Sequence, residues 1–387
     1  MADALYRYLR ELQHPVTGLL ESFSSSTDPS LVRVAFTYDL ALAGLVFTQH
    51  GALDEAHQLL EFYRSMPLPV ASSFDYYNTA YQTEDRLPAL EQAIQVGPVA
   101  WVAVALLQYA RASGQLIYLH KAAVLLDWLR RHLDHFHGGI VMGAADPWST
   151  RLSAENNWAY YAALRLVVRD LSEGALRSTL QEEKEGVRRW LARNGSRRGE
   201  GDPVKALDVY TNALLVGPTA HLEEQGLGDR IVLGQWAKSW IEELEALFRV
   251  PDAHVYDYTD AREARRADRP RVGWLEGTGQ VALAYQTWAP FFESLGDPRY
   301  AQELLRRASL AHACVLRSSL LAGGGVAIPN TDAPEPVKTF ADGWYARPSG
   351  EPALNGTTWA YFVETGCNPW LPIPALVRTS PSLVPAV

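Results

Sequence analysis

Cysteine and lysine are both scarce in this sequence. The 387 residues contain two cysteines, Cys314 and Cys367, too few for a disulfide framework or a four-cysteine zinc site. We therefore expect two free thiols, because unpaired cysteine is commonly buried. The lysines are confined to five positions: Lys121, Lys184, Lys205, Lys238 and Lys338. None lies in an obvious apolar pocket motif, which argues against Schiff-base chemistry.

Excess positive charge and long apolar runs are also lacking. The net charge is −9, and such an acidic surface argues against binding to nucleic acid or to anionic membranes. No apolar run approaches the roughly 20 residues of a membrane span, and residues 1–7 lack the features of a secretory signal. We expect a cytoplasmic protein, although a secreted protein trimmed of its signal would look the same.

Strand-like alternation of apolar and polar residues is nearly absent, and helical periodicity dominates. Two kinds of segment alternate along the chain. Segments that are apolar nearly all round span residues 36–49, 98–113, 153–170, 205–216, 274–293 and 355–365. Amphipathic segments span residues 53–64, 115–133, 173–192, 228–248 and 298–318, and residues 5–12 supply a partner for the last apolar segment. The first kind must be buried on all sides, whereas the second covers a core on one side.

Six such hairpins predict an all-α fold, an (α/α)6 toroid with an inner ring of helices wrapped by an outer ring. An open superhelix of repeats is the alternative, but the irregular interval and the need for the N-terminal helix favour closure. We expect one domain over residues 1–370 and an extended, proline-rich tail over 371–387. Links from outer to inner helices are long and meet on one face, where binding sites usually form.

Acidic side chains lie in the first turn of four inner segments: Asp39, Glu155, Asp208 and Glu276. Helix capping is one explanation for each of them. All four together in a ring interior would carry a desolvation cost that a surface cap does not. Glycoside hydrolysis needs two carboxyl groups flanking the scissile bond, and burial with mutual repulsion can separate their pKa values as required.

Aromatic and amide side chains accompany these acids. The expected substrate-binding residues are Tyr38, Asp75, Tyr76, Trp148, Asn156, Asn157, Asp208, Tyr256, Asp257, Gln280, Trp344 and Trp359. Aromatic faces stack on pyranose rings, and Asp and Asn bind hydroxyl groups; lids over the core are the alternative for the loop aromatics. His135 and His137 lack a third zinc ligand and are better explained as a helix C-terminal cap. We expect no metal and no cofactor.

Several of these segments resemble the six-hairpin glycosidase superfamily, without matching one characterised family. The segments are Tyr38-Asp39, Ala154-Glu155-Asn156-Asn157, Glu276-Gly277-Thr278-Gly279-Gln280, Thr358-Trp359-Ala360-Tyr361-Phe362 and Asn368-Pro369-Trp370. The resemblance implies an (α/α)6 barrel and an acid/base pair acting on an oligo- or polysaccharide. Uronide hydrolases, lyases and sugar 2-epimerases are also relatives. Because the inner-helix starts carry carboxylates and no histidine, hydrolysis is favoured.

The resulting hypothesis is a glycoside hydrolase with Glu155 and Glu276 as the catalytic pair and Asp39 as the rival base. The two glutamates face each other across the ring, and a wide separation favours inversion of configuration. Two alternatives remain: a sugar epimerase or isomerase that uses His135, His137 or His254, and a non-catalytic glycan-binding scaffold. The sugar, the linkage and the oligomeric state are left open.

Overall fold

The protein is an all-α toroid, as predicted. Its computed structural model describes residues 1–69, 76–90, 93–218, 221 and 230–373. The α-helices in this part of the chain are α1 (Ala2–Leu12), α2 (Thr37–His50), α3 (Leu53–Ser65), α4 (Val96–Ser113), α5 (Leu116–His132), α6 (Ala154–Asp170), α7 (Ala175–Asn194), α8 (Leu207–Leu215), α9 (Arg230–Phe248), α10 (Ala261–Arg266), α11 (Leu275–Ser294), α12 (Pro298–Arg317) and α13 (Leu354–Thr365).

Six of these helices form a closed inner ring. In order around the ring, α2, α4, α6, α8, α11 and α13 each pack against the next, and α13 packs back against α2. The outer helices α3, α5, α7, α9 and α12 pack on the inner helix that precedes them, and α1 packs on α13. The fold is therefore a toroid and not an open superhelix. The short helix α10 was not anticipated from the sequence.

Burial follows this division into two rings. In α4 every residue except Pro98 and Arg111 is buried, because the helix is covered on all sides by its ring neighbours and by α5. The outer helix α7 buries only Leu180, Val187, Trp190 and Leu191. Each fully buried large apolar side chain contributes about 1.5–3 kcal/mol relative to exposure. Burial of the inner segments, which are apolar nearly all round, thus drives closure of the ring.

Short strands order the long links. They are β1 (Val34–Phe36), β2 (Ala80–Gln82), β3 (His135–Phe136), β4 (Gly139–Ile140), β5 (Leu320–Ala322), β6 (Gly325–Pro329), β7 (Val337–Lys338), β8 (Tyr345–Ala346) and β9 (Pro352–Ala353). All pairings are antiparallel: β1 with β2, β3 with β4, β5 with β6, β6 with β9, and β7 with β8.

A repeated backbone hydrogen bond fixes the inner-helix starts relative to one another. The first N–H of each inner helix donates to a carbonyl in the long link that precedes the next inner helix around the ring. The pairs are Thr37 with Thr79, Val96 with Met142, Ala154 with Arg198, Leu207 with Tyr258, Leu275 with Asn330, and Leu354 with Ser22. These six bonds form a belt around one end of the toroid. Donors that a helix normally leaves unsatisfied are thereby bonded.

Both cysteines are free thiols, as predicted, with Cys314 buried and Cys367 half-buried. No helix in the described ranges combines the length and apolarity that a membrane crossing requires. The single domain over 1–370 and the extended tail remain predictions, because residues 374–387 lie outside the described part of the chain. Residues 371–373 are described, and Gln108 of α4 bonds to the Leu371 carbonyl and the Ile373 N–H.

Candidate active site

A cavity of about 1580 Å³ opens at the end of the toroid where the inner helices begin. Long segments from five of the six outer-to-inner links form its walls. Representative wall residues are Phe23, Thr79, Trp148, Arg198 and Trp344. Pockets for small ligands span roughly 300–1,000 Å³, so this cavity has room for more than one sugar ring. It lies on the face that the link lengths indicated.

Three of the four first-turn acids lie at the floor of this cavity, and the fourth is buried next to them. Asp39, Glu155 and Asp208 line it, and Glu276 lies beside them, bonded to Tyr38. N-cap bonding does not account for these side chains. In the described chain, the residues before α2, α8 and α11 make no side-chain cap bond, and the cap of α6 is Ser153, which accepts the N–H of Asn156. Asp208 accepts the N–H of its neighbour Val209 at 2.7 Å.

Burial raises the pKa of every floor acid. It raises the pKa of Asp208 to about 6, of Asp39 to about 7 and of Glu276 to about 8. The pKa of Glu155 is raised well above its ordinary value, first by loss of bulk water and then by repulsion from Asp208 and Glu276. Repulsion from Asp39 and Asp208 acts on Glu276 in the same direction. The four groups therefore form one coupled cluster that resists full ionisation.

Glu276 is held by a chain of hydrogen bonds. The Tyr38 hydroxyl donates to its Oε1 at 2.7 Å, and the Gln280 amide donates to the same atom at 3.3 Å. Behind them, the Trp359 indole donates to the Tyr38 hydroxyl at 2.9 Å, and Thr211 donates to Gln280 at 2.6 Å. The bond from Tyr38 lowers the pKa of Glu276, against the dominant effect of burial. This carboxyl is fixed in place and partly stabilised in its charged form.

Glu155 has the opposite environment. Its side chain reaches into the cavity and is exposed there, although the walls exclude much of the bulk water. It accepts no hydrogen bond from any described residue. The next residue, Asn156, locks the helix start: its Oδ1 accepts the Gly97 N–H at 2.6 Å. A Cβ on Gly97 would lie 2.4 Å from this oxygen, so the close approach of α4 and α6 requires glycine at this position.

Most of the expected binding residues at the helix starts and rim line the cavity: Tyr38, Trp148, Asn156, Asp208 and Trp344. Gln280 and Trp359 lie behind the floor, in the hydrogen-bond chain to Glu276. Asp75 lies outside the described residues. Tyr76 is half-buried and packs against the core.

Three further expected binding residues have structural partners away from the cavity. The Asn157 side chain accepts the Ile140 N–H at 3.0 Å and donates to the Ile140 carbonyl at 2.9 Å, which anchors the link before α6. The buried Tyr256 donates to Glu245 at 2.6 Å. Asp257 is fully buried in an ion pair with Arg269 and Arg271. None of the three lines the cavity.

The histidines lie at the rim or outside the cavity. His137 lines the mouth, with its Nδ1 2.9 Å from Glu200. His135 contacts Glu183 of α7 at 2.7 Å, and His254 lies beside Arg249. Neither of these two lines the cavity. Within the described ranges, no three His, Cys, Asp or Glu side chains are arranged to hold a metal ion.

Sequence reasoning missed two contributors to the site. Trp101 lines the cavity, and its ring packs edge-on against that of Tyr38, with centroids 5.6 Å apart. Its signal was weak, because tryptophan in a wholly apolar helix resembles ordinary core. Arg198 also lines the cavity and donates to both carboxylate oxygens of Asp342 at 2.7 and 3.0 Å. This pair joins two long links across the mouth.

No protein-family model and no curated protein sequence matches the chain. Solved structures do match. A wild-type glycosidase aligns with a TM-score of 0.65 and 11% identity over 95% of this chain and 96% of that one, and a glycosidase variant in complex with glucose gives the same values. The cellobiose 2-epimerase from Spirochaeta thermophila aligns with a TM-score of 0.68 and 16% identity over 95% and 94%. At such identities the likeness shows the fold, a helical barrel shared with sugar-processing enzymes.

Proposed function

We propose that the protein is a glycoside hydrolase that cleaves an oligo- or polysaccharide with two carboxyl groups. The observation that carries the proposal is the cavity floor, where Glu155 and Glu276 belong to one cluster of coupled acids but have different surroundings. Glycosidases need one protonated and one ionised carboxyl group on either side of the bond. Different environments are the means by which one site keeps two carboxyls in two states.

The surroundings suggest a role for each glutamate. Glu276 accepts hydrogen bonds from Tyr38 and Gln280, which favour its charged form, so we assign it as the base. Glu155 lacks such donors in the described chain and is repelled by Asp208 and Glu276, so it keeps its proton and serves as the acid. Asp39, with a pKa of about 7, is the rival base.

The proposed reaction is a single displacement. Glu155 transfers its proton to the glycosidic oxygen as the bond from that oxygen to the anomeric carbon breaks. Glu276 takes a proton from a water molecule as the water oxygen bonds to the same carbon on the opposite face. The configuration inverts. Glu155 is left ionised and Glu276 protonated, and exchange with solvent restores both.

The rim supports a carbohydrate substrate. Trp344 and Tyr345 line the cavity and are 55% and 61% exposed, although exposing aromatic surface to water is unfavourable. Trp148 lies on the wall opposite an acidic floor. Flat aromatic faces above hydrogen-bonding acids suit the apolar faces and hydroxyl groups of pyranose rings. A solved structure of similar fold is a glycosidase in complex with glucose, which supports a sugar as the substrate class.

The test is to replace each glutamate separately. Nitrophenyl glycosides and neutral oligosaccharides are screened first to obtain a substrate. On that substrate, Glu155→Gln and Glu276→Gln should each lower kcat by about 100-fold or more. Glu200→Gln is the matched control, because Glu200 lines the mouth but is bonded to His137 and Trp190. Retention of activity in both floor variants rejects the assignment.

Sugar 2-epimerisation is the second candidate, favoured by the structural likeness to cellobiose 2-epimerases. Among the three candidate histidines, only His137 lines the cavity, so this function would have to draw on the rim or on the floor acids. Incubating free glucose, mannose or cellobiose in deuterated water separates the two functions. Deuterium at C2 indicates epimerisation, whereas hydrolysis introduces none. Oligosaccharide binding without product or exchange would indicate a glycan-binding scaffold.

A further inference from the structure

A short segment after α13, Asn368–Ile373, enters the toroid from the end opposite the cavity; we call it the strap. Its hydrogen bonds to inner helices lie in their C-terminal halves. The Asn368 side chain donates to the Leu215 carbonyl at 2.6 Å. Gln108 is 12 residues past the start of α4, which is about 18 Å along the helix axis. The strap therefore closes the end of the ring that lies opposite the cavity.

Buried polar side chains hold the strap. Gln108 is fully buried, donates to the carbonyls of Pro369 and Leu371 at 3.2 and 2.7 Å, and accepts the N–H of Ile373 at 3.1 Å. Arg165, 6% exposed, donates to the carbonyl of Trp370 at 2.9 Å. Burying such groups is costly unless they are bonded. Their presence in an otherwise apolar ring specifies one position for the strap.

Trp370 carries the strap to the cavity floor. Its side chain is fully buried, and its ring centroid lies 3.8 Å from that of Trp101. Trp101 lines the cavity and packs edge-on against both Tyr38 and Trp359. These two residues form the hydrogen-bonded pair that holds Glu276. A continuous path of ring contacts and hydrogen bonds thus joins the strap to the Glu276 carboxyl.

We propose that Trp370 is a positioning residue. It packs against Trp101 and, through Trp101, holds Tyr38 in place, and so fixes the Glu276 carboxyl. Its catalytic consequence rests on the proposed hydrolase function. Removing a large side chain from a packed interior leaves a void into which neighbours relax. Trp101 borders that void, and Tyr38 packs against Trp101. As the Tyr38 hydroxyl moves, its 2.7 Å bond to Glu276 lengthens and stabilises the ionised carboxyl less.

Two variants of Trp370 and one control separate this role from general packing. Trp370→Ala removes the support, and Trp370→Phe keeps part of it. Trp288→Phe is the control, because Trp288 is equally buried on an inner helix but packs against Phe291 and Phe292 at the far end of α11. Should Trp370→Ala not fold, Trp370→Phe still carries the test.

The primary measurement does not require catalysis. Protein with carboxyl-labelled glutamate is titrated by ¹³C NMR, and the Glu276 resonance is assigned by its loss in Glu276→Gln. We expect its midpoint to rise by about one pH unit in Trp370→Ala, and by less in Trp370→Phe. The acidic limb of kcat/KM should move equally, with kcat at pH 7 reduced about tenfold and KM little changed. The Trp288 control should shift neither.

The outcomes of this experiment are distinct. An unchanged Glu276 titration in both Trp370 variants overturns the inference, whatever their activity. Equal shifts in Trp370→Phe and Trp288→Phe also overturn it, since any loss of core indole would then suffice. A shift confined to the Trp370 variants, in a protein that hydrolyses no sugar, retains the positioning role and rejects the proposed function.

Discussion

The hydroxyl of Tyr38 on α2 donates a 2.7 Å hydrogen bond to Oε1 of Glu276 on α11, linking two inner helices that α13 separates in the ring. This bond lowers the pKa of Glu276. In Tyr38→Phe the pKa should rise further above about 8, by roughly one to two units for a charge-assisted bond. The acidic limb of kcat/KM should move up equally, with activity at pH 7 reduced by about 10- to 100-fold.

A buried tyrosine elsewhere in the ring provides the control for this change. Tyr160 on α6 is fully buried, and its hydroxyl bonds to the Leu126 carbonyl. Tyr160→Phe should leave the pH profile in place. Movement of the alkaline limb in Tyr38→Phe, with the acidic limb fixed, would contradict the assignment of Glu276 as the base.

Asp39 should make the protein less stable as the pH rises. Its pKa is raised from 3.8 to about 7 in the folded state, so between these values the folded protein holds a proton that the unfolded chain has released. Stability falls across this interval, and above it the loss is complete and no longer changes with pH. Asp39→Asn removes the loss. Its advantage over the original protein should grow from pH 4 to pH 7, reaching at most about 4 kcal/mol.

Thermal unfolding at several pH values measures this effect. Asp54→Asn is the control, because Asp54 occupies the first turn of α3 and is exposed. The Tm advantage of Asp39→Asn over the original protein should widen as the pH rises, whereas Asp54→Asn should gain no such advantage. A constant difference for Asp39→Asn would refute the expected titration.

Asp257 should matter for stability and not for substrate binding. It is fully buried, and its carboxylate oxygens bond to Arg269 at 2.6 Å and Arg271 at 2.9 Å. Breaking a buried pair from one side costs about 3–5 kcal/mol. Asp257→Asn should therefore lower the Tm clearly, while KM and kcat of the folded enzyme at 20 °C or so stay unchanged. Asp268→Asn, an exposed position in the same link, should do neither, and a raised KM in Asp257→Asn would restore its predicted binding role.

Trp344 should act through binding alone. It is 55% exposed at the cavity rim and lies in a link, whereas the floor acids lie in the first turns of inner helices. Trp344→Ala should raise KM for an oligosaccharide about tenfold, equivalent to about 1.4 kcal/mol, with kcat nearly unchanged. Leu321→Ala removes an apolar side chain that is 91% exposed and does not line the cavity, and should change neither constant. An unchanged KM in Trp344→Ala would remove this residue from the substrate path.

The ring helices were predictable because the distribution of apolar residues in each segment indicates whether one side or all sides of the helix are buried. The ends of the twelve predicted segments differ from the observed helices by at most three residues. The convergence of Asp39, Glu155, Asp208 and Glu276 on one face followed from the same alternation, since first turns of inner helices share one end of the ring. Local periodicity was sufficient for both results.

Long-range partners were not predictable in this way. Asp257 and Tyr256 are of the residue types that also bind sugars in loops. Only the fold shows that Arg269 and Arg271 lie beside Asp257, and that Glu245 lies beside Tyr256. Trp101 was missed because an aromatic residue within a mostly apolar helix is indistinguishable, in the local sequence, from a residue of the hydrophobic core. The role of Trp370 depends on the strap, which enters the ring after the last helix. Helical periodicity in the sequence does not predict where such a segment packs.

The hairpin of α1 and α13 brings together the first and last helices of the ring, and the Leu354 N–H bond to Ser22 completes the belt there. In an open array of repeats, each unit contacts only its neighbours, and the array can unfold from its ends. A closed ring has no free end from which fraying can start. Its last seam joins residues far apart in sequence, so this seam carries the largest loop-closure entropy. Detaching α1 would remove the outer cover of this seam and leave it to the direct packing of α13 against α2.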